Sequence, residues 1–355
     1  MKPQPAALCL TLALVVAWGS LRGDDRDQAR SLRAKGKQQG VSWVGGRNPV
    51  TARDFDRLVE NGVSWIAQNP FGWQRGLDTP EVRLASSRGW WGERDEGLRV
   101  TTELARERGI RTLLRPHIWL SGVPDGKWLA DVTMKDDADW QRWFESYGAF
   151  ILHYAQLAEE LGIEALSVGA ELRTATTTRE ADWRRLIGRV REVYHGRLTY
   201  AAKWHAEFEQ IAFWDALDFI GVQAYFPLTD GTTPTVAELE AAWRPHLAAI
   251  ERLARRSGKP VVFTEIGYRS VPGATARPWE WPAAPEPVTE AGLNVQADAY
   301  EAFFRTFWRR DWFGGAYLWK WFPGLEHRPG PPTAEFSPQN KPAERVLARW
   351  YRKSS

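Results

Sequence analysis

Short apolar runs recur along the chain near residues 41–45, 62–68, 110–117, 163–170, 197–203, 217–225, 260–265 and 314–320, each enriched in β-branched or aromatic residues and bounded by Gly or Pro. Runs of that length and composition predict buried strands. Between them apolar positions fall at helical spacing, as in 54–59, 137–161, 180–194, 236–256 and 293–309, which predicts amphipathic helices. A strand followed by a helix, eight times over, is the sequence form of an α/β fold whose parallel strands close into a (β/α)8 TIM barrel. At 355 residues one barrel with insertions accounts for a single domain. Gly62, Gly109, Gly162 and Gly258 each stand between a helical stretch and the next strand, where a left-handed helix cap avoids the clash of a Cβ.

The connections that follow the second, third, seventh and eighth strands are long, and they carry Trp73, Trp90, Trp91, Trp119, Trp128, Trp279, Trp281, Trp321 and Phe322. Long loops at the C-terminal ends of barrel strands are where this architecture holds its site. The Pro- and Ala-rich run 271–287 reads either as a cleft wall or as a disordered flap. Two of the strands end in an acid, Glu171 on the fourth and Glu265 on the seventh. A carboxylate at the end of an apolar strand is costly to bury unless it is paired or used. Cleavage of a glycosidic bond needs two, one protonated to help the leaving oxygen depart and one ionised to capture or stabilise the sugar, ~5 to 5.5 Å apart in retaining enzymes and ~6.5 to 9.5 Å in inverting ones. The plain alternative for each is a structural ion pair, with Arg173 close to Glu171 in sequence.

Composition narrows the field. The 47 basic and 44 acidic residues are intermixed, with a net charge of +3 and no basic block, so nucleic acid is not an expected partner. The 21 tryptophans fill cores and also suit the C–H faces of sugars. His117, His153, His195, His205, His246 and His327 are scattered without ligand spacing, so no metal is expected. Phosphate-binding glycine loops, a His-Glu-x-x-His helix and a Gly-x-Ser-x-Gly elbow do not occur; a hydrolase that needs no cofactor, acting as a monomer, fits. Lys2 followed by the apolar stretch Ala6 to Trp18 has the form of a secretory signal, and its ~13 residues fall short of the roughly 20 of a membrane span. Residues 1–22 are therefore read as a signal peptide or an N-terminal anchor, 23–39 as a polar linker and 40–353 as the barrel domain, in a protein expected to be secreted or periplasmic. An uncleaved anchor stays open, because Ala17 and Gly19 flank a Trp where a cleavage site wants small residues. The single cysteine, Cys9, lies inside this segment; its removal would leave no thiol for disulfides, nucleophilic catalysis or metal binding.

Six stretches together resemble clan A of the glycoside hydrolases, and most closely glycoside hydrolase family 113, over roughly residues 38–353. They are Leu114-Arg115-Pro116-His117-Ile118-Trp119, Ser167-Val168-Gly169-Ala170-Glu171-Leu172, Gly221-Val222-Gln223-Ala224-Tyr225-Phe226-Pro227, Phe263-Thr264-Glu265-Ile266-Gly267-Tyr268, Gly315-Ala316-Tyr317-Leu318-Trp319-Lys320-Trp321 and Ser337-Pro338-Gln339-Asn340-Lys341-Pro342-Ala343. The resemblance implies a retaining β-mannanase-type hydrolase, with Glu171 as acid/base and Glu265 as nucleophile, acting on β-1,4-mannan polysaccharide or oligosaccharide by double displacement. Arg115 and Tyr225 are candidates to stabilise the Glu265 carboxylate, with a barrel-layer salt bridge and an ordinary strand aromatic as the plain alternatives. Trp319 resembles the indole floor beneath the sugar before the scissile bond. His117, Trp119, Lys203, Trp204, Gln223 and Lys320, also at strand ends, are candidates to bind hydroxyls. Many clan A enzymes have Asn directly before the acid/base, where this chain has Ala170, which cannot contact the 2-hydroxyl. Two other readings therefore remain: the same scaffold on glucan or xylan, and a carbohydrate-binding barrel without turnover.

Overall fold

The computed structural model describes residues 36–84, 89–124, 126–281, 286–325 and 332–353. The apolar N-terminal segment with Cys9, and His327, lie outside the described residues. The strands are β1 (Gln38–Trp43), β2 (Trp65–Gln68), β3 (Phe71–Gln74), β4 (Arg83–Leu84), β5 (Arg111–Leu114), β6 (His117–Leu120), β7 (Ala165–Ala170), β8 (Arg197–Lys203), β9 (Ile220–Gln223), β10 (Val261–Ile266) and β11 (Phe313–Trp321). Eight of them close into a barrel in the order β1, β11, β10, β9, β8, β7, β5, β2, with parallel pairing throughout. This is the single-domain (β/α)8 barrel that the alternation of runs predicts.

The strands are buried on both faces because helices cover the outside and side chains fill the inside. Trp65, Ala67, Leu113, Ala165, Phe219, Val262 and Tyr317 form the inner cluster. Trp65 and Ala165 open their strands, Val262 is second in β10 and Phe219 directly precedes β9, and the guanidinium groups of Arg111 and Arg197 lie over the Trp65 ring at 5.6 and 5.1 Å. That end of the barrel is therefore plugged, and the polar groups gather at the other. The helix Asp137–Leu161 begins where the Asp136 carboxylate accepts from the Asp139 N–H at 2.8 Å and ends at Gly162 with φ of 60°. Gly62, Gly109 and Gly258 likewise take φ of 73°, 73° and 66°, a region a Cβ disfavours.

Several elements differ from the sequence reading. The run 110–117 is two strands: β5 stops at Leu114, the Arg115 N–H still donates to the Gln68 carbonyl at 2.8 Å, and Pro116 has no N–H to continue the ladder. The chain then leaves the barrel, and β6 joins β3 and β4 in a second, three-stranded sheet. His117 and Trp119 thus sit on this small sheet and not at a barrel-strand end. The strand near 217–225 is shorter, β9 ending at Gln223, so Tyr225 lies in the following loop. Gln38 and Gln39, assigned to the linker, belong to β1. Helices Asp95–Glu107 and Pro342–Arg352 add to those read from the spacing. The first part of the run 271–287 is packed wall: Val271, Ala274 and Thr275 are buried, Gly273 N–H donates to Thr232 C=O at 2.7 Å and Leu228 N–H to Thr275 C=O at 2.9 Å.

Candidate active site

β10 carries Glu265 next to its end, beside Gln223 in register on β9, and the Glu265 side chain is buried. Its two oxygens have separate partners. Arg115, directly after β5 and 1% exposed, pairs with Oε1, and the Tyr225 hydroxyl donates to Oε2 at 2.7 Å. Arg115 is itself fixed, donating from Nη1 to the Thr264 carbonyl at 2.7 Å and from Nε to Asn69 Oδ1 at 2.9 Å. A buried guanidinium with each of its nitrogens engaged and a carboxylate with both oxygens engaged meet the condition for keeping an ion pair out of water. Burial and the adjacent Glu265 push the Tyr225 phenol well above its usual range, which keeps it a donor.

Glu171 follows β7 in an unusual backbone state, with φ of 53°. A non-glycine residue in the left-handed region costs of order 1–3 kcal/mol and persists only when its surroundings over-determine it. Here they do. Glu171 N–H donates to Ala201 C=O at 3.0 Å, and the next N–H, of Leu172, donates to the Tyr200 hydroxyl at 2.6 Å. Tyr200 in turn donates to Glu207 Oε1 at 2.7 Å. Glu207 is fully buried and also accepts from the Thr176 hydroxyl at 2.9 Å and the Lys203 N–H at 2.7 Å. Its pKa is pushed up to about 7 by burial, with Glu171 adding to the rise against the lowering by its donors. On the solvent side, Trp128 Nε1 donates to Glu171 Oε2 at 3.0 Å. The alternative partner Arg173 points elsewhere, toward Asp131 at 3.9 Å.

Glu171 follows β7 and Glu265 lies next to the end of β10, and because all barrel strands run parallel both acids stand at the same end of the barrel; both act electrostatically on the His117 ring and on the Tyr225 hydroxyl. His117 is half-buried; burial holds its pKa below the ordinary histidine value, Arg115 adding to this while the Ile118 carbonyl and the two glutamates oppose it. A neutral ring whose Nδ1 donates to the Ile118 carbonyl at 3.0 Å keeps Nε2 as an acceptor. Gln223 is 3% exposed, and its Nε2 has no acceptor among the described residues, a buried donor that calls for an explanation. Trp319 and Lys320 are half-buried on β11. Gly267 lies where a Cβ would come within 3.0 Å of Trp319 Cβ, so the absence of a side chain there lets the indole seat. The Lys320 ammonium lies 4.6, 4.8 and 5.8 Å from the ring centres of Trp281, Phe322 and Trp319; burial lowers its pKa, with Glu335 and Glu265 opposing. Lys203 ends β8, half-buried, and Trp204 stacks on Trp279 at 5.1 Å. Trp119, 49% exposed, is the sequence candidate set farthest out, on the small sheet.

Sequence reasoning missed Asn69, Trp128, Tyr200 and Glu207. Trp128 carried a signal, an indole in a long loop after the third strand. Glu207 carried only a weak one, an acid four residues past a strand end between Ala206 and Phe208. Among the described residues no group of three or more His, Cys, Asp and Glu side chains is arranged to hold a metal ion.

Hydrolysis of a glycosidic bond asks for a proton donor and an anion at one anomeric centre, and comparison with known proteins puts the chain among the enzymes that do this: it is a glycoside hydrolase. More narrowly, it belongs to glycoside hydrolase family 113, of clan A, whose family model matches residues 42–335. Among solved structures it is similar to a family 113 β-mannanase from Alicyclobacillus acidocaldarius in complex with ManMIm, with 28% identity, 90% of this chain and 98% of that one covered, and a TM-score of 0.74. A family 113 β-1,4-mannanase solved as a complex is 26% identical over 89% of this chain and 99% of its own, with a TM-score of 0.73. A β-glucuronidase of Ruminococcus gnavus, 14% identical over 90% of this chain and 50% of its own, with a TM-score of 0.58, shares the fold. No functionally curated protein matches the chain.

Proposed function

We propose that the protein is a retaining β-mannanase that hydrolyses β-1,4-mannan-type polysaccharide or oligosaccharide by double displacement. The observation that carries this is the unlike environment of the two acids. Glu265 is clamped by a cation and a phenol, as suits a nucleophile that attacks as an anion. Glu171 accepts from a neutral indole N–H, as suits a group that gives up a proton and takes it back. Glu265 attacks the anomeric carbon while Glu171 protonates the departing oxygen; water then enters, deprotonated by Glu171, and releases the sugar. Trp319 serves as the floor for the sugar under attack. His117, Gln223, Lys203, Lys320, Trp204 and Trp119 are the candidates to bind the hydroxyls and faces of the substrate. The mannan assignment leans on the printed activities of the two family 113 neighbours.

Proton NMR of the first anomer released from mannohexaose tests the mechanism, retention being expected; an inverted product excludes double displacement. Glu265→Gln is expected to abolish turnover while oligosaccharide binding persists. Glu171→Ala is expected to keep activity only on substrates with good leaving groups, such as dinitrophenyl glycosides. Near-normal rates in Glu265→Gln would overturn the assignment of roles. Export of the chain as a monomer belongs to the same reading; N-terminal sequencing of protein recovered outside the cytoplasm checks the first point and sedimentation the second.

A further inference from the structure

The small sheet beside the barrel mouth has two unlike faces. β3 and β6 run parallel with Phe71 opposite His117 and Trp73 opposite Trp119, and side chains alternate along each strand. On one face, Gly72 lies against the Phe150 ring, where a Cβ would come within 2.8 Å, and Gln74 Oε1 accepts from Trp143 Nε1 at 3.0 Å. That face is anchored on the helix Asp137–Leu161. The other face presents His117, Phe71, Trp119 and Trp73 as a two-by-two array of rings. Centroids are 5.9 Å apart for Phe71 and His117, 6.0 Å for Phe71 and Trp119, and 6.2 Å for Trp73 and Trp119.

The array is graded. Its inner end, His117, is two residues past Arg115, which pairs with Glu265, whereas its outer end is open to water, with Trp73 43% and Trp119 49% exposed. One step from inner to outer is two strand residues, about 7 Å at a strand rise of ~3.3 Å per residue. Neighbouring exposed indoles on a sheet whose other face is anchored are poorly explained by packing, and a contiguous apolar patch of this kind marks a binding surface. Continuity with Glu265 through Arg115 and His117 selects the occupant: a ligand long enough to run from the barrel mouth onto this row of rings.

We propose that this face is a distal sugar platform, on which Trp73 and Trp119 stack outlying pyranose units of a β-linked polysaccharide chain whose scissile bond lies at the acid pair. This rests on the reading of the barrel mouth as a β-glycan site and extends it, because a platform this far out serves an extended polymer rather than a disaccharide. Flat indoles meet the C–H face of each pyranose, and their rigid side chains cost little conformational entropy on binding.

The test compares wild type, Trp73→Ala and Trp73→Phe on β-1,4-linked manno-, cello- and xylohexaose and on an aryl β-mannobioside too short to reach the platform. For the hexaose that wild type cleaves best, the ratio of its kcat/KM to that of the aryl bioside is expected to fall about tenfold in Trp73→Ala, the scale of one aromatic stack. The loss should appear mainly in KM, and Trp73→Phe should recover part of it. A ratio unchanged in Trp73→Ala overturns the platform. So does a loss that accompanies a lowered melting temperature, or one that accompanies dissociation of a wild-type oligomer, which would make the face a protein contact. If cellohexaose or xylohexaose proves the better substrate and the ratio still falls, the platform stands and the mannan assignment fails. Wild type that neither cleaves nor binds any hexaose removes both.

Discussion

Tyr225 and Glu265 meet at 2.7 Å, the phenol donating to Oε2 while Arg115 holds Oε1. Tyr225 comes from the loop after β9, the neighbour of β10, and Arg115 from the turn after β5, which lies across the barrel from β10, so a near and a far element fix one carboxylate. Removing a hydrogen bond to a charged group costs about 1.5–3 kcal/mol, and tenfold in rate corresponds to about 1.4 kcal/mol. Tyr225→Phe is therefore expected to lower kcat/KM by about 10- to 100-fold with little change in melting temperature, as steady-state kinetics and thermal denaturation will show.

Glu207 braces the backbone of Glu171 through Tyr200. Its pKa, about 7 in the fold, lies above the ordinary carboxyl value, so between pH 4.5 and 7 the folded state binds the proton that the unfolded state has released. The contribution is whole at low pH and is lost as pH rises through that window. Relative to Glu207→Gln, wild type should lose up to roughly 3 kcal/mol of stability across it, measured by urea unfolding at several pH values. A flat difference would show that the group does not titrate there.

Lys341 behaves in the opposite sense. It is buried, donating to Ser270 Oγ at 3.0 Å and to the Glu335 carbonyl at 2.8 Å, and desolvation lowers its pKa to about 8 although Glu335 opposes this. Between pH 8 and 10.5 the unfolded chain holds the proton that the folded chain has lost, so folded stability rises with pH. Wild type should gain up to roughly 3 kcal/mol on Lys341→Met over that range, by the same unfolding measurement.

Gly169, two residues before Glu171, has no room for a side chain: a Cβ would lie 2.6 Å from the Tyr147 hydroxyl, 2.9 Å from the Tyr200 ring and 3.0 Å from the Trp183 ring. Overpacking of this kind costs about 1–3 kcal/mol. Gly169→Ala is expected to lower the melting temperature by several degrees and to reduce kcat as well, because the displaced Tyr200 hydroxyl receives the Leu172 N–H. Unchanged melting and kinetics would show that the neighbours yield freely.

What the sequence by itself determined is the barrel, and the reason is local. Strands buried on both faces read as continuous apolar runs, and Gly62, Gly109, Gly162 and Gly258 mark helix ends through a backbone preference that needs no distant partner. It also placed Glu171 and Glu265 at strand ends, where the closed barrel brings them to one mouth. Only the tertiary structure decided how each acid is held. Asn69, Trp128 and Glu207 are ordinary polar or aromatic residues until the fold sets them against Arg115, Glu171 and Tyr200, and the left-handed backbone of Glu171 depends on acceptors from the next strand. The small sheet was hidden for a related reason: 110–117 reads as one strand, and the break at Pro116 acquires meaning only when β3 is there to take β6 as a partner. Periodicity records what each segment buries, but which segment it meets is a property of the closed chain.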